Sequence, residues 1–160
     1  GLAIYSRFEI VDHEVFPAGS NDPYACAWTL KGKDREFVVV GAHPPPPDVP
    51  PNRSRQELLA EMGKFVAQFS KEKPTILIGD LNVTPWSPYF DQLLHDAELT
   101  DARIGQGVTQ TWPTHFPPLW IPIDHCLVSK GVQVHGFWAA PSVESDHFPI
   151  VCRVSLAPAP

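Results

Sequence analysis

The sequence predicts an α+β domain: two mostly antiparallel β-sheets packed together, with helices on the outside. Three observations carry this. Strand-like apolar runs outnumber helical segments about three to one. One segment of helical length repeats its apolar residues at three- and four-residue steps. Apolar residues make up 43% of the chain and charged residues 19%, which supports a packed core and excludes wholesale disorder. The 160 residues fit one domain, 1–160, with residues 157–160 as a flexible tail.

Strands are expected at 2–6, 8–15, 25–30 and 36–42, where apolar and β-branched residues cluster between turn residues. Lys31-Gly32-Lys33-Asp34 reads as the turn of an antiparallel hairpin. The long helix is expected over 54–69. Leu58, Leu59, Met62, Phe65, Val66 and Phe69 form its apolar stripe, and Ser54 with Glu57 has the capping-box spacing. A buried strand follows at 75–79. A short helix is expected over 85–95, with Thr84 as cap and Pro85 at its first position. Further strands are expected at 123–129, 132–138 and 148–156.

Twelve basic and eighteen acidic residues give a net charge of −6, which argues against coating nucleic acid through bulk positive charge. It leaves open an enzyme that meets phosphate locally through a metal ion. Nineteen prolines, among them Pro44 to Pro47, Pro50-Pro51 and Pro117-Pro118, sit between apolar segments and read as stiff surface loops. Cys26, Cys126 and Cys152 are too few and too far apart for a disulfide framework or a metal clip, and read as small buried hydrophobes. No apolar run is long enough to cross a bilayer, and no signal peptide is visible. The opening Gly1, already in a strand-like run, is expected to mark an excised or processed piece.

Four polar clusters fall at the ends of predicted strands. Asp80 and Asn82, in Gly79-Asp80-Leu81-Asn82, share a side if the backbone stays extended. The carboxylate can orient or deprotonate a water, while the amide donates to oxygens that gain negative charge. Ile123-Asp124-His125 and Ser145-Asp146-His147-Phe148-Pro149 each set a carboxylate beside an imidazole, one hard oxygen ligand and one group that titrates near neutrality. Asp124 could hold the His147 ring in one tautomer. His43 ends the Val38-Val39-Val40-Gly41-Ala42 run. Each cluster alone is also what a polar turn looks like.

Their order along the chain resembles the endonuclease/exonuclease/phosphatase superfamily, with its deoxyribonuclease-I-like fold. The resemblance runs from Ser6-Arg7 to Val154 and corresponds to the C-terminal two-thirds of the superfamily domain. It implies a four-layer α/β/β/α sandwich lacking its N-terminal strands. It implies that Asp80 orients the attacking water and that Asn82 stabilises the phosphorane-like transition state. Asp146, with Asp80, would bind Mg²⁺ or Mn²⁺, and His147, held by Asp124, would contact the scissile phosphate or act as acid/base. His43 matches a histidine near the leaving group, Arg7 a basic residue near the phosphate, and Trp112 is a candidate substrate wall with Trp86 and Trp120. His43-Pro44-Pro45-Pro46-Pro47, Gly79-Asp80-Leu81-Asn82-Val83-Thr84-Pro85-Trp86 and Thr111-Trp112-Pro113 look most like a bacterial branch that includes proteins associated with glycopeptide-antibiotic resistance. Members of that branch often carry transmembrane helices, which would place this domain outside the cytoplasm of an anchored parent protein.

The chain contains no residues matching the superfamily's early asparagine and its metal-binding glutamate. Weak metal affinity is therefore expected, along with self-association, as a homodimer, through a sheet edge left open. The expected function is metal-dependent hydrolysis of a phosphodiester or phosphomonoester, on a small, lipid-linked or nucleic-acid substrate. The alternative is an impaired family member that acts as a binding module.

Overall fold

The computed structural model describes residues 1–17, 19–46 and 54–158. Among these, eight strands and two α-helices follow in order: β1 (Glu9–Phe16), β2 (Ala25–Lys31), β3 (Glu36–Ala42), α1 (Arg55–Ser70), β4 (Thr75–Asp80), α2 (Pro88–Asp96), β5 (Leu99–Asp101), β6 (Asp124–Ser129), β7 (Val132–Ala139) and β8 (Ile150–Leu156). A six-stranded sheet has the order β1-β2-β3-β4-β6-β5, and β7-β8 form a second sheet. The pair β3–β4 is parallel and the other pairs are antiparallel. A parallel pair needs a crossover, and α1 supplies it.

Alternation along the strands builds two cores. Val38, Val40, Leu77 and Leu127 face the helices and meet Leu59, Met62, Val66, Phe90 and Leu93. The intervening residues, Ile76, Ile78, Cys126 and Val128, face the second sheet and meet Val134, Phe137, Ile150 and Val154. The molecule is therefore an α+β sandwich of two packed sheets. Both α-helices lie on the outer face of the larger sheet, so the layers among the described residues run helix, sheet, sheet.

Most expected elements form. The Ser54 hydroxyl accepts the Glu57 amide at 3.3 Å, and the Glu57 carboxylate accepts the Ser54 amide at 2.9 Å, closing the capping box of α1. β2 and β3 pair as a hairpin, with Lys31 opposite Glu36. Pro117-Pro118 opens an exposed 3₁₀ turn, Pro117–Leu119. Pro47, Pro50 and Pro51 of the proline loop and residues 159–160 of the tail lie outside the described residues. Cys26 and Cys126 are buried and Cys152 half-buried, all as free thiols; Cys126 and Cys152 pack in the same core between the two sheets. Among the described residues no helix is long and apolar enough to cross a membrane.

Three expectations need correction. Residues 2–6 form no strand: among the described residues they have no ladder partner, and Leu2 to Ile4 lie beside Trp28, Val39 and Ile78 on the inner face of the sheet. The short helix is capped by Ser87, whose hydroxyl accepts the Tyr89 amide at 3.3 Å, with Pro88 as first residue. Thr84 cannot be the cap, because its carbonyl accepts the Ser87 amide at 3.1 Å and closes a separate turn. β5 was not expected, since its three residues are too few to show a period.

β1 is an edge strand, and Ile10 and Val11 on it are exposed together with Phe8 and Tyr5 just before it. An open edge with apolar side chains favours pairing with another chain. We expect light scattering to show dimers growing with concentration, and Val11→Lys to suppress them. A monomer at every concentration would count against this.

Candidate active site

β4 and β6 run antiparallel and end with Asp80 directly opposite Asp124. Like charges in directly opposite positions repel, so this pair calls for a group that can sit between them. His147 is that group. Its Nδ1 lies 2.8 Å from Asp124 Oδ2 and its Nε2 3.8 Å from Asp80 Oδ2. An ionised carboxylate accepts only, so the Nδ1 proton donates to Asp124 and Nε2 is turned toward Asp80. His43, one residue past β3, brings its own Nε2 to 3.7 Å from the same Asp80 oxygen.

The close approach of β3 and β4 at this end requires Gly79. Its φ is +148°, and a Cβ there would lie 2.0 Å from the Ala42 carbonyl oxygen. Asp80 follows immediately, and His43 follows Ala42.

Asn82 reaches the site by a different route from the one expected. β4 stops at Asp80, Leu81 is buried, and Asn82 adopts a left-handed φ of 51°. The two polar residues are therefore not side by side on an extended strand. Instead, the Asn82 amide donates to Asp80 Oδ1 at 2.8 Å, and Asn82 Nδ2 donates to the Pro44 carbonyl at 3.0 Å. Asparagine is among the few residues that visit this conformation readily, and both bonds hold it there.

Burial is the largest influence on Asp80 and raises its carboxyl above the usual range. Asp124 adds to the rise, while the Asn82 amide, His147 and His43 pull it back.

The segment that carries His147 is strapped to residues 111–114. The Thr114 amide donates to the Asp146 carbonyl at 2.8 Å, and the Thr114 hydroxyl donates to the Ser145 carbonyl at 2.8 Å. The Phe148 amide donates to the Thr111 carbonyl at 2.8 Å. Thr111 itself is fully buried, and its hydroxyl accepts the Ile123 and Asp124 amides at 3.2 and 3.1 Å. A single hydroxyl thus fixes the start of β6 against the strap. In the sequence Thr111 stands out only as part of Thr111-Trp112-Pro113, with no role of its own.

His125 is the other residue whose role was missed. One position after Asp124 on a strand, it points to the opposite face and into the helical core, fully buried. Its Nε2 donates to the Val83 carbonyl at 2.7 Å, and its Nδ1 accepts from Arg103 Nη2 at 2.7 Å. Asp101 grips Arg103 through both oxygens, and Phe90 packs against the imidazole. This chain of contacts ties the Asp80–Val83 turn to β6 from behind. Burial and the Arg103 charge push the His125 pKa down to about 4, so it is neutral at pH 7.

Asp146 is exposed, and its Oδ2 accepts the Trp112 indole N–H at 3.2 Å, which holds its carboxyl below the usual range. The Trp112 ring lies 6.3 Å from the His147 ring. Trp120 packs edge-on against Phe148, and Trp86 is exposed; neither joins Trp112 in the wall beside His147. Arg7 sits on an exposed bend ahead of β1, with no hydrogen bond or ion pair to the site among the described residues. No three carboxylate, imidazole or thiol side chains among the described residues converge as a metal centre. Hard oxygen donors are present at this end of the sheet in Asp80 and Asp146, without a closed cage of three among the described residues.

An aspartate, an asparagine and a carboxylate-held imidazole thus meet at one end of a two-sheet sandwich. Fold and site define a sandwich of the deoxyribonuclease-I type with its polar residues gathered at the strand ends. The chain belongs to the Endonuclease/Exonuclease/phosphatase family, whose model matches residues 1–147. No curated protein sequence matches the chain. Among solved structures, an endonuclease/exonuclease/phosphatase from Bacteroides vulgatus is similar, with a TM-score of 0.72 at 18% identity over 93% of this chain and 66% of that one. The mannosyl-6-phosphatase of Bacteroides thetaiotaomicron gives 0.63 at 21% identity, over 93% of this chain and 67% of that one. The catalytic domain of human nocturnin gives 0.65 at 21% identity, over 94% and 60%. The chain therefore spans about two-thirds of the length of the structures it resembles.

Proposed function

We propose that the chain carries the catalytic half-site of a metal-dependent phosphoesterase, which hydrolyses a phosphomonoester or phosphodiester with an activated water. The observation that carries this reading is His147 set between Asp124 and Asp80, with Asn82 bonded to Asp80. Asp80 orients the water and draws its proton. Asn82 and His147 donate to phosphoryl oxygens as negative charge builds on them. Asp124 keeps the imidazole in one tautomer and steadies its charged form. His43, whose Nε2 approaches the same Asp80 oxygen, serves the leaving group. Asp146 and Asp80 would hold a Mg²⁺ or Mn²⁺, which would supply positive charge against the charge on the phosphoryl group. Membership of a family of phosphate-ester hydrolases supports the reaction class.

Hydrolysis of bis-p-nitrophenyl phosphate with Mn²⁺ tests the proposal. Asp80→Ala and His147→Ala are each expected to lose about 100-fold or more in rate. Equal background rates in the wild type and both variants would overturn the proposal.

The thin donor set favours a second reading, a family member that binds a partner without turnover. Calorimetric titration with Mn²⁺ is expected to show binding weaker than micromolar under either reading. The rate assay separates the two.

A further inference from the structure

The geometry points to a substrate class for the proposed site: a small phosphate ester whose ester group is an uncharged, ring-bearing moiety. This rests on the phosphoesterase reading above. A cavity of about 670 Å³ opens beside the polar cluster, and Asn82 and His147 both stand in its wall. The rest of the wall is mainly apolar, with Val83, Ile121, Ile123, Tyr89 and Trp112 beside Pro46, and Thr84 and Ser87 as its hydroxyl-bearing members. Among the described residues no lysine, arginine, aspartate or glutamate lines it.

Two consequences follow from this wall. A phosphoryl group that meets Asn82 and His147 must direct its ester substituent into the cavity, because the same two side chains border both. An apolar recess of this size takes a whole small-molecule group and gains by removing it from water. The aromatic walls Trp112 and Tyr89 favour a flat ring over a flexible chain, since rings stack or meet edge-on at little entropic cost.

The same wall disfavours a polynucleotide. Each further phosphate along a nucleic-acid strand needs a positive or strongly donating partner. Here, among the described residues, the wall beyond His147 offers it no charged side chain, on a chain of net charge −6.

Phosphonates resist hydrolysis, so their binding reads the site independently of turnover. Titration with methylphosphonate, phenylphosphonate and hexylphosphonate, followed by ligand-detected NMR, is the test. Phenylphosphonate is expected to bind roughly tenfold tighter than methylphosphonate and tighter than hexylphosphonate. Tyr89→Ala and Ile121→Ala should bring the phenyl-to-methyl ratio down severalfold. Trp138→Ala, on the outer face of the second sheet, should leave that ratio as it is. Equal binding of phenyl- and methylphosphonate would overturn this inference alone and leave the phosphate site standing. Hexylphosphonate binding as tightly as the phenyl compound would overturn the preference for a ring and point to a lipid-like ester. Failure of all three, and of inorganic phosphate, would overturn the phosphoesterase reading with it.

Discussion

Replacing Gly79 by alanine is expected to destabilise the fold by about 3 kcal/mol or more and to pull His43 away from Asp80. The new methyl would sit 2.0 Å from the Ala42 carbonyl oxygen, at a φ of +148° that L-residues rarely adopt. No side-chain rotation relieves a contact between a Cβ and a backbone oxygen. β3 and β4 must then separate at the end that carries both His43 and Asp80. Gly105→Ala is the control: its φ is also positive, at +78°, but its Cβ would meet nothing within 4 Å. That variant should cost only about 1 kcal/mol. Urea unfolding of both variants measures the difference. Equal losses would show that backbone strain, and not the clash, sets the cost.

The second large effect is acid destabilisation through His125. Its folded pKa of about 4 lies below the usual histidine value, so the unfolded chain takes up a proton first as pH falls. Stability contributed by the neutral ring is fully present above about 6.5 and is lost as pH drops toward 4, by roughly 3 kcal/mol in all. Charging the ring would place a second cation beside Arg103, and Nδ1 could no longer accept from it. Asp80 acts with the opposite sign. Its raised pKa costs stability at neutral pH and returns it as pH falls toward the ordinary carboxylate value, so it offsets part of the loss at the acid end. Unfolding measured from pH 7 to pH 4 should therefore show a slope that His125→Gln flattens. An unchanged slope in the variant would sink the assignment.

Much of this architecture was legible because single residue types announce single tasks. The β-branched runs 36–42 and 75–79 are buried on the helix-facing side and mostly half-buried on the other, and such strands show up as continuous apolar stretches. Ser54 and Glu57 gave the start of α1 to the residue, since the capping box has a fixed spacing. Asp124 and His147 were found at strand ends, where loops converge. What stayed hidden depends on information that spacing does not carry. The left-handed turn at Asn82 breaks the alternation that seemed to link it to Asp80, and nothing local distinguishes such an asparagine from an extended one. Thr84-Pro85 and Ser87-Pro88 are equally good helix starts in sequence, and only the turn that Thr84 closes decides between them. His125 looks like a partner of Asp124 because it is adjacent, yet adjacency on a strand sends the two side chains to opposite faces. Leu2 to Ser6 has the composition of a strand without a neighbour to pair with.

The cinch at Thr111 has a bearing on how this scaffold can diversify. Trp112 bridges Ile121 across the neck of the loop, and the Thr111 hydroxyl locks that neck to Asp124, while residues 115–119 hang free in solvent. The tip can therefore lengthen, shorten or be exchanged between relatives without disturbing the groups that would handle phosphorus. Novel substrate preferences can be grafted there while the reactive machinery is inherited intact.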